Sequence, residues 1–251
     1  TSAGYAAIER VCELEASYGY RSAWNLVPRR DYVVEDGDVA ELQRGGWEIG
    51  VHGLHHDGRD LESEKLALER LPEMRRWAER WSAVGFRAPA TQRDWHLMPR
   101  LGFEYDSSYP DTDPFEPQGG GCCSWLPFWN DGLLELPITL PQDHTLFVIL
   151  GETDGRIWLE KASVLRRRGG MALLDTHPDY LFDDPAPAAY EAFLAAFAQD
   201  ATAWRALPSE VAAWWRRRTE TRLERTSAGW LPTGPAAAEA IVVTSEPTYP
   251  E

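Results

Sequence analysis

Apolar side chains recur along this chain with two alternating periods. Ile8, Val11 and Leu14 stand three apart, which predicts a helix over residues 4–17 that ends before Tyr18-Gly19. Residues 21–27 then read as a short buried strand stopped by Pro28. A brief helix capped by Asp38 runs through Val39 and Leu42 to Gly45-Gly46, and the alternation over 47–51 predicts a strand that delivers His52 at its end. The same unit repeats downstream. A helix over 61–81, capped by Asp60 and kinked or interrupted at Pro72, precedes a strand over 84–87; a helix over 95–101 precedes a strand over 103–106. Residues 111–121, rich in Pro, Gly and Asp, predict a long irregular loop. A strand over 133–138, a helix over 157–168 closed by Gly169-Gly170, and a strand over 171–176 presenting His177 complete the series.

Short strands alternating with helices imply parallel β/α units. The polar residues His52, Arg87, Asp106 and His177 each follow a strand end, the edge on which sites assemble in β/α barrels and open sheets alike. The pattern alone leaves barrel and open sheet undistinguished. After Tyr180 the character changes: Pro187 opens a helix with Tyr190, Phe193, Leu194 and Phe197 on one face, and Ser209 caps a second through Val211, Trp214 and Trp215. Both are expected outside the main domain, and a strand-like stretch over 240–244 lies in the Gly-, Pro- and Ala-rich tail.

The formal net charge of −15 argues against nucleic acid as a partner, since such a surface repels phosphate, and favours a sugar polymer or a small neutral molecule. No apolar run reaches the ~20 residues of a membrane-spanning helix. Cys12 and the adjacent pair Cys122-Cys123 form no spaced framework, so reduced thiols in a cytoplasmic setting are expected. The chain opens at Thr1, so a segment ahead of it is expected, and a signal for secretion could lie there. Twelve Trp residues, mostly core by their size, leave some near a site as stacking platforms for sugar rings.

The densest chemistry lies in residues 47–57, Trp-Glu-Ile-Gly-Val-His-Gly-Leu-His-His-Asp. His52 and His56 stand four apart after a strand, and neutral imidazoles suit a divalent ion such as zinc, which as a catalyst takes three protein ligands and an open position. From spacing alone, incidental histidines on a polar loop are an equal reading. Nucleophilic catalysis lacks a Gly-x-Ser-x-Gly elbow, and Gly119-Gly120-Gly121 lacks the Lys-Ser/Thr of a phosphate loop.

Gly-x-Glu-Ile-Gly-x-His-x-x-x-His, ending at His56, resembles the metal motif of the polysaccharide deacetylases (the NodB-homology class, carbohydrate esterase family 4). Gly85-Phe86-Arg87-Ala88-Pro89-Ala90 is similar to that family's Arg-x-Pro motif, and Leu173-Leu174-Asp175-Thr176-His177-Pro178 to the late strand carrying its catalytic acid. Residues 20–27 are similar to the strand ahead of its histidines. The resemblance implies an α/β fold, a distorted (β/α) barrel over 1–185, with 186–251 as a C-terminal helical extension and tail of the same domain. It implies His52 and His56 as metal ligands, with Zn2+ favoured and Co2+ or Ni2+ as alternatives. Arg87 would orient the general base, His177 would protonate the leaving amine, and Leu174 would line the pocket for the acetyl methyl. Leu174 also reads as plain core, Arg87 as a surface ion-pairing residue and His177 as a structural histidine. Asp143 and His144, on a loop covering the site, are candidate substrate contacts that read equally as solvated loop. The implied activity is removal of N-acetyl or O-acetyl groups from a carbohydrate. A small amide or cyclic ureide as substrate, or an inactive glycan-binding module, are the alternatives. The family's acidic first motif, which supplies the base and a third metal ligand, is expected upstream of Thr1. Asp57, Asp60, Asp106 and Asp143 read as capping or loop residues instead.

Overall fold

The structure is a computed structural model that describes residues 1–112, 115, 120–227 and 229–243. Most of the predicted loop over 111–121, Gly119 within the Gly triplet, and Thr244 of the strand-like stretch lie outside the described residues.

Two compact units partition the chain, residues 1–209 and 210–251. In the larger unit, α1 (Ser2–Ala6) and α2 (Ile8–Ser17) lead into β1 (Ala23–Leu26); α3 (Asp36–Arg44) precedes β2 (Glu48–Val51), and α4 (Glu64–Trp81) precedes β3 (Gly85–Phe86). Then come β4 (Tyr105–Asp106), β5 (Phe128–Asn130), β6 (Leu133–Glu135), α5 (Arg156–Arg168), α6 (Pro178–Leu181) and α7 (Ala186–Ala198). The sheet order is β1-β2-β3-β4-β6-β5, parallel throughout except for β5, which returns antiparallel on β6. Parallel bridges Pro110↔Ile138 and Leu140↔Leu174 bring the segment that carries His177 alongside. The α/β class with parallel strands is thus as the alternation predicts.

Parallel strands are covered on both faces: β6 is buried at every position, and β2 at all but its first. Gly85 in β3 is a packing requirement, since a Cβ there would come within 2.1 Å of the Tyr105 hydroxyl, which is buried and donates to Glu48 Oε1 at 2.6 Å. α4 turns Ala67, Leu71, Met74 and Trp81 inward, spaced as an amphipathic helix requires. Its start differs from the expectation. Ser63, not Asp60, caps it by accepting from Leu66 N, and the helix runs unbroken through Pro72. Asp60 is instead buried, accepting from Leu54 N at 3.1 Å and paired with Arg70 at 2.7 Å.

The extension expected over 186–251 is shared between the two units, with residues 186–209 in the larger one. α7 belongs to the larger unit because Tyr190 donates to the buried Glu15 carboxylate at 2.8 Å and Phe193 meets the Trp158 ring edge-on at 6.0 Å. The helix predicted after Ser209 is α8 (Pro208–Glu220), with Ser209 in its first turn and Ser209 N donating to Glu48 Oε2. In the second unit, β7 (Arg222–Thr226) and β8 (Gly229–Thr233) form an antiparallel hairpin, while Glu239 receives Trp214 Nε1 and Arg217. Residues 240–243 form no strand.

Candidate active site

Parallel strands align their C-terminal ends on one edge, and each delivers its next residue there. His52 N donates to Leu26 O at 2.9 Å, Arg87 N to Val51 O at 3.0 Å and Ser107 N to Phe86 O at 3.0 Å, so each ladder continues one residue past its strand. His52, Arg87 and Ser107 are thereby fixed by backbone pairing before any side-chain contact is counted. Directly after His52, Gly53 turns the chain at φ +65, where a Cβ would lie 2.1 Å from Asp60 Oδ2 and 2.6 Å from Pro89 Cγ. His56 also adopts a left-handed backbone, φ 54, and its ring meets that of His52 edge-on with centroids 4.9 Å apart.

His52 Nδ1 lies 2.9 Å from the Arg87 carbonyl oxygen; donating its proton there leaves Nε2 with its lone pair free. Burial, together with the neighbouring His56, pushes the His52 imidazole down to about 3, and burial lowers His56 as well. Both rings are therefore neutral acceptors near neutral pH, the form in which imidazole ligates a metal.

Arg87 is nearly buried. Its Nη1 pairs with Asp175, its Nε donates to Ser107 O at 2.8 Å, and its Nη2 to Ser107 Oγ at 2.8 Å. Burial opposes ionisation of Asp175, but the charges of Arg87 and His177 outweigh it and hold this carboxyl below its ordinary value. Beneath this pair, Asp106 and Glu135 face each other in register across β4 and β6, both buried. Burial raises both, and the proximity of Asp106 raises Glu135 further. Glu135 Oε1 accepts from Ser108 N and Tyr109 N, Asp106 from the Ser108 hydroxyl at 2.8 Å, and that hydroxyl from Ala88 N. The carboxyl pair thus clamps the 107–109 segment that grips Arg87.

His177 arrives from the segment bridged at Leu140↔Leu174, and Asp143 fixes it twice. Asp143 Oδ2 accepts from His177 N at 2.6 Å, and Oδ1 faces His177 Nδ1 at 2.7 Å. Burial works against the imidazolium, but the hydrogen bond to Asp143 and the charges of Asp175 and Asp143 prevail, raising His177 to about 9. The two histidine environments are opposite in sign: His52 is held neutral, His177 protonated. Burial and neighbouring charge thus tune two imidazoles of one sheet edge in opposite directions. Asp143→Asn removes the anionic partner. The NMR-titrated pKa of His177 is expected to fall from about 9 toward the ordinary imidazole value of ~6.5; an unchanged titration contradicts the dyad.

The candidates separate into two groups. His52, His56, Arg87 and His177 come together on this edge; Asp175 acts electrostatically on both His52 and His177. Asp143 is not a solvated-loop residue. It is fully buried, with its oxygens committed to His177 and to His144 N. It sits at the head of a π-helical turn, His144–Ile149, within the predicted loop. His144 is half-buried with its ring 4.9 Å from that of Tyr180, which also meets His177 at 5.6 Å. Leu174 is partly buried and packs against the core. Asp106 accepts from Ser108 N at 3.1 Å, closing a local turn, and is buried rather than solvated.

The histidine pair supplies two neutral nitrogen donors, which fits part of a zinc centre; among the described residues, no three His, Cys, Asp or Glu side chains converge to hold an ion.

No family model and no curated protein matches the chain. Solved structures do. A Mycobacterium smegmatis protein described as a polysaccharide deacetylase superposes with a TM-score of 0.69 at 22% identity, covering 86% of this chain and 79% of that one. A Pseudomonas aeruginosa PAO1 protein described in the same terms gives 0.64 at 21% identity, covering 84% and 73%. The fold is that of the polysaccharide deacetylases. PuuE allantoinase shares it, with a TM-score of 0.59 at 19% identity over 84% of this chain and 72% of that one. Within this deacetylase fold, residue-based reasoning missed the partnership of Arg87 with Asp175 and of His177 with Asp143. Asp175 was visible as a carboxylate two residues before a histidine at the end of a predicted strand; the 143–177 pairing, 34 residues apart, left no local signal.

Proposed function

We propose that the protein is a metal-dependent hydrolase that removes N-acetyl or O-acetyl groups from a carbohydrate. The observation that carries this reading is the meeting of a neutral histidine pair, His52 and His56, and a protonated histidine held by a buried aspartate on one edge of a deacetylase fold. An amide resists hydrolysis because water is a poor nucleophile and an amide anion a poor leaving group. Zn2+, with Co2+ or Ni2+ as alternatives, would be held by His52 and His56 and would lower the pKa of water and polarise the acyl oxygen. His177 addresses the leaving group. With Nδ1 on Asp143, its other nitrogen carries the proton that the amine takes as the C–N bond breaks, and the imidazolium becomes neutral imidazole. Water supplies the oxygen of the released acetate, and the proton it gives up returns through solvent to His177, restoring the imidazolium. Arg87 keeps Asp175 ionised beside His177, which favours the protonated acid before the bond breaks. Leu174 would border the acetyl methyl and His144 the sugar.

Acetate release from N-acetylchitooligosaccharides tests the reading. Activity is expected to vanish on chelation, return with added Zn2+, and be absent in His52→Ala. Activity that survives chelation removes the metal from the mechanism. The likeness to PuuE allantoinase favours one other substrate class, a cyclic ureide. Turnover of allantoin with none of the sugar would replace the carbohydrate; glycan binding without any turnover would make the protein a binding module.

A further inference from the structure

In the second unit, β7 and β8 make a two-stranded sheet in which no residue is buried. A hairpin of this kind is at best marginally stable in water unless a further surface covers it. Register sorts its side chains. Cross-strand partners share a face, so Leu223, Arg225, Trp230 and Pro232 stand on one side, and Arg222, Glu224, Leu231 and Thr233 on the other. Leu223, Trp230 and Leu231 are 53, 49 and 52% exposed. Trp230 and Leu231 are consecutive and close to the turn, so each face carries an exposed apolar side chain near the tip. A protein docked on one face would leave the other in water. A lipid headgroup layer surrounds such a tip and takes both, and it is the environment that an indole, apolar with one polar N–H, prefers.

Charge points to the same occupant. Residues 216–226 hold five arginines against two glutamates, in a chain whose formal net charge is −15. Arg217 is taken by Glu239. Arg218, Arg222 and Arg225 have no carboxylate partner among the described residues. Arg218 lies 4.5 Å over the Trp215 ring, Arg222 Nη1 donates to Thr219 O at 2.6 Å, and Arg225 lies 6.0 Å over the Trp230 ring. Guanidinium groups left without a carboxylate are complementary to phosphate, which they bind through paired N–H donors. A second copy of the hairpin would set arginine against arginine, so self-pairing is disfavoured.

We propose that the β7–β8 hairpin and the end of α8 dock on an anionic phospholipid surface, with Trp230 and Leu231 entering the headgroup layer and Arg218, Arg222 and Arg225 meeting lipid phosphates. The protein is then held at a membrane by a surface contact rather than a span. This interaction does not depend on the hydrolase reading.

Co-sedimentation of the full chain with phosphatidylcholine vesicles, with and without phosphatidylglycerol, tests it. At about 0.1 M NaCl, vesicles with about 30% phosphatidylglycerol are expected to bind about 10²-fold more strongly than neutral ones, roughly fivefold for each of the three arginines. Binding should vanish at about 1 M NaCl, where the Debye length falls to about 3 Å. The triple variant Arg218→Gln, Arg222→Gln, Arg225→Gln should lose the preference for anionic vesicles. Trp230→Ser with Leu231→Ser should weaken binding about 10-fold or more. Trp230→Phe keeps a ring at the tip and should retain binding, which with a thermal transition matching wild type separates loss of the contact from loss of the fold. No sedimentation with anionic vesicles, equal binding to neutral and anionic vesicles, or a triple variant that binds like wild type overturns the proposal. Binding to soluble polyglutamate as tight as to vesicles, and indifferent to Trp230→Ser, would assign the hairpin to an acidic protein and overturn the lipid. Dimerisation in the ultracentrifuge without vesicle binding would assign it to a second copy, with the same consequence.

Discussion

Replacing His177 with alanine is expected to lower kcat for acetate release by about 10²–10⁴-fold, the usual contribution of a positioned general acid. The side chain is one-third exposed, and the fold does not depend on it as it does on Trp81 or Trp158, both almost fully buried. The loss should therefore fall on kcat, while His177→Ala remains folded by circular dichroism. Because His177 must be protonated to act, the wild-type rate should hold at neutral pH and fall as pH rises through about 9. The same raised value has a consequence for stability. The dyad's contribution is complete below the unfolded imidazole's ~6.5 and is lost as pH climbs to about 9. His177→Ala should remove that alkaline slope from denaturation curves taken across this window. A kcat within about 3-fold of wild type would mean that His177 is structural and the acid lies elsewhere.

The second large effect concerns stability. Arg87 and Asp175 are each less than a tenth exposed, and Arg87 is the cationic side chain paired with that carboxylate. Arg87→Met keeps much of the volume but leaves Asp175 buried without its countercharge and Ser107 without its donors. Breaking one side of a buried pair typically costs about 3–5 kcal/mol. Urea denaturation should show a loss of that order, with activity lost as well. Adding Asp175→Leu removes the stranded charge, so the double variant should recover much of the stability without recovering activity. Equal stability of Arg87→Met and wild type would show that Asp175 is solvated and that the pair does not organise this edge.

Legibility in the sequence followed the range of each interaction. Strands such as β2 could be placed because a short alternating stretch between helical ones marks the strand of a β/α unit, and the residue that follows it must reach the sheet edge. That rule located His52, Arg87 and His177 without any contact information. β5 was not anticipated, since Phe128–Asn130 is short and becomes a strand only by pairing with β6. The hairpin of β7 and β8 was missed because its residues, almost all solvent-exposed, carry no inward-facing alternation. Helix starts failed where a polar side chain had two possible employers. Asp60 and Ser63 are both good caps, and the long-range demand of Arg70 and Leu54 N took the first and left the second. Asp143 failed for the same reason: a carboxylate among loop residues looks solvated until a partner 34 residues away is brought beside it. The carboxyl pair Asp106 and Glu135 was likewise invisible, since only strand register sets those two side chains opposite each other.

The central claim is that His52 and His56 are metal ligands rather than structural histidines. Elemental analysis of the dialysed protein and of its His52→Ala variant, each supplied with Zn2+ beforehand, tests it most directly. The account predicts about one transition-metal ion per chain in wild type, as a single catalytic site requires, and none in the variant. Absence of metal from both, or equal metal in both, would contradict it.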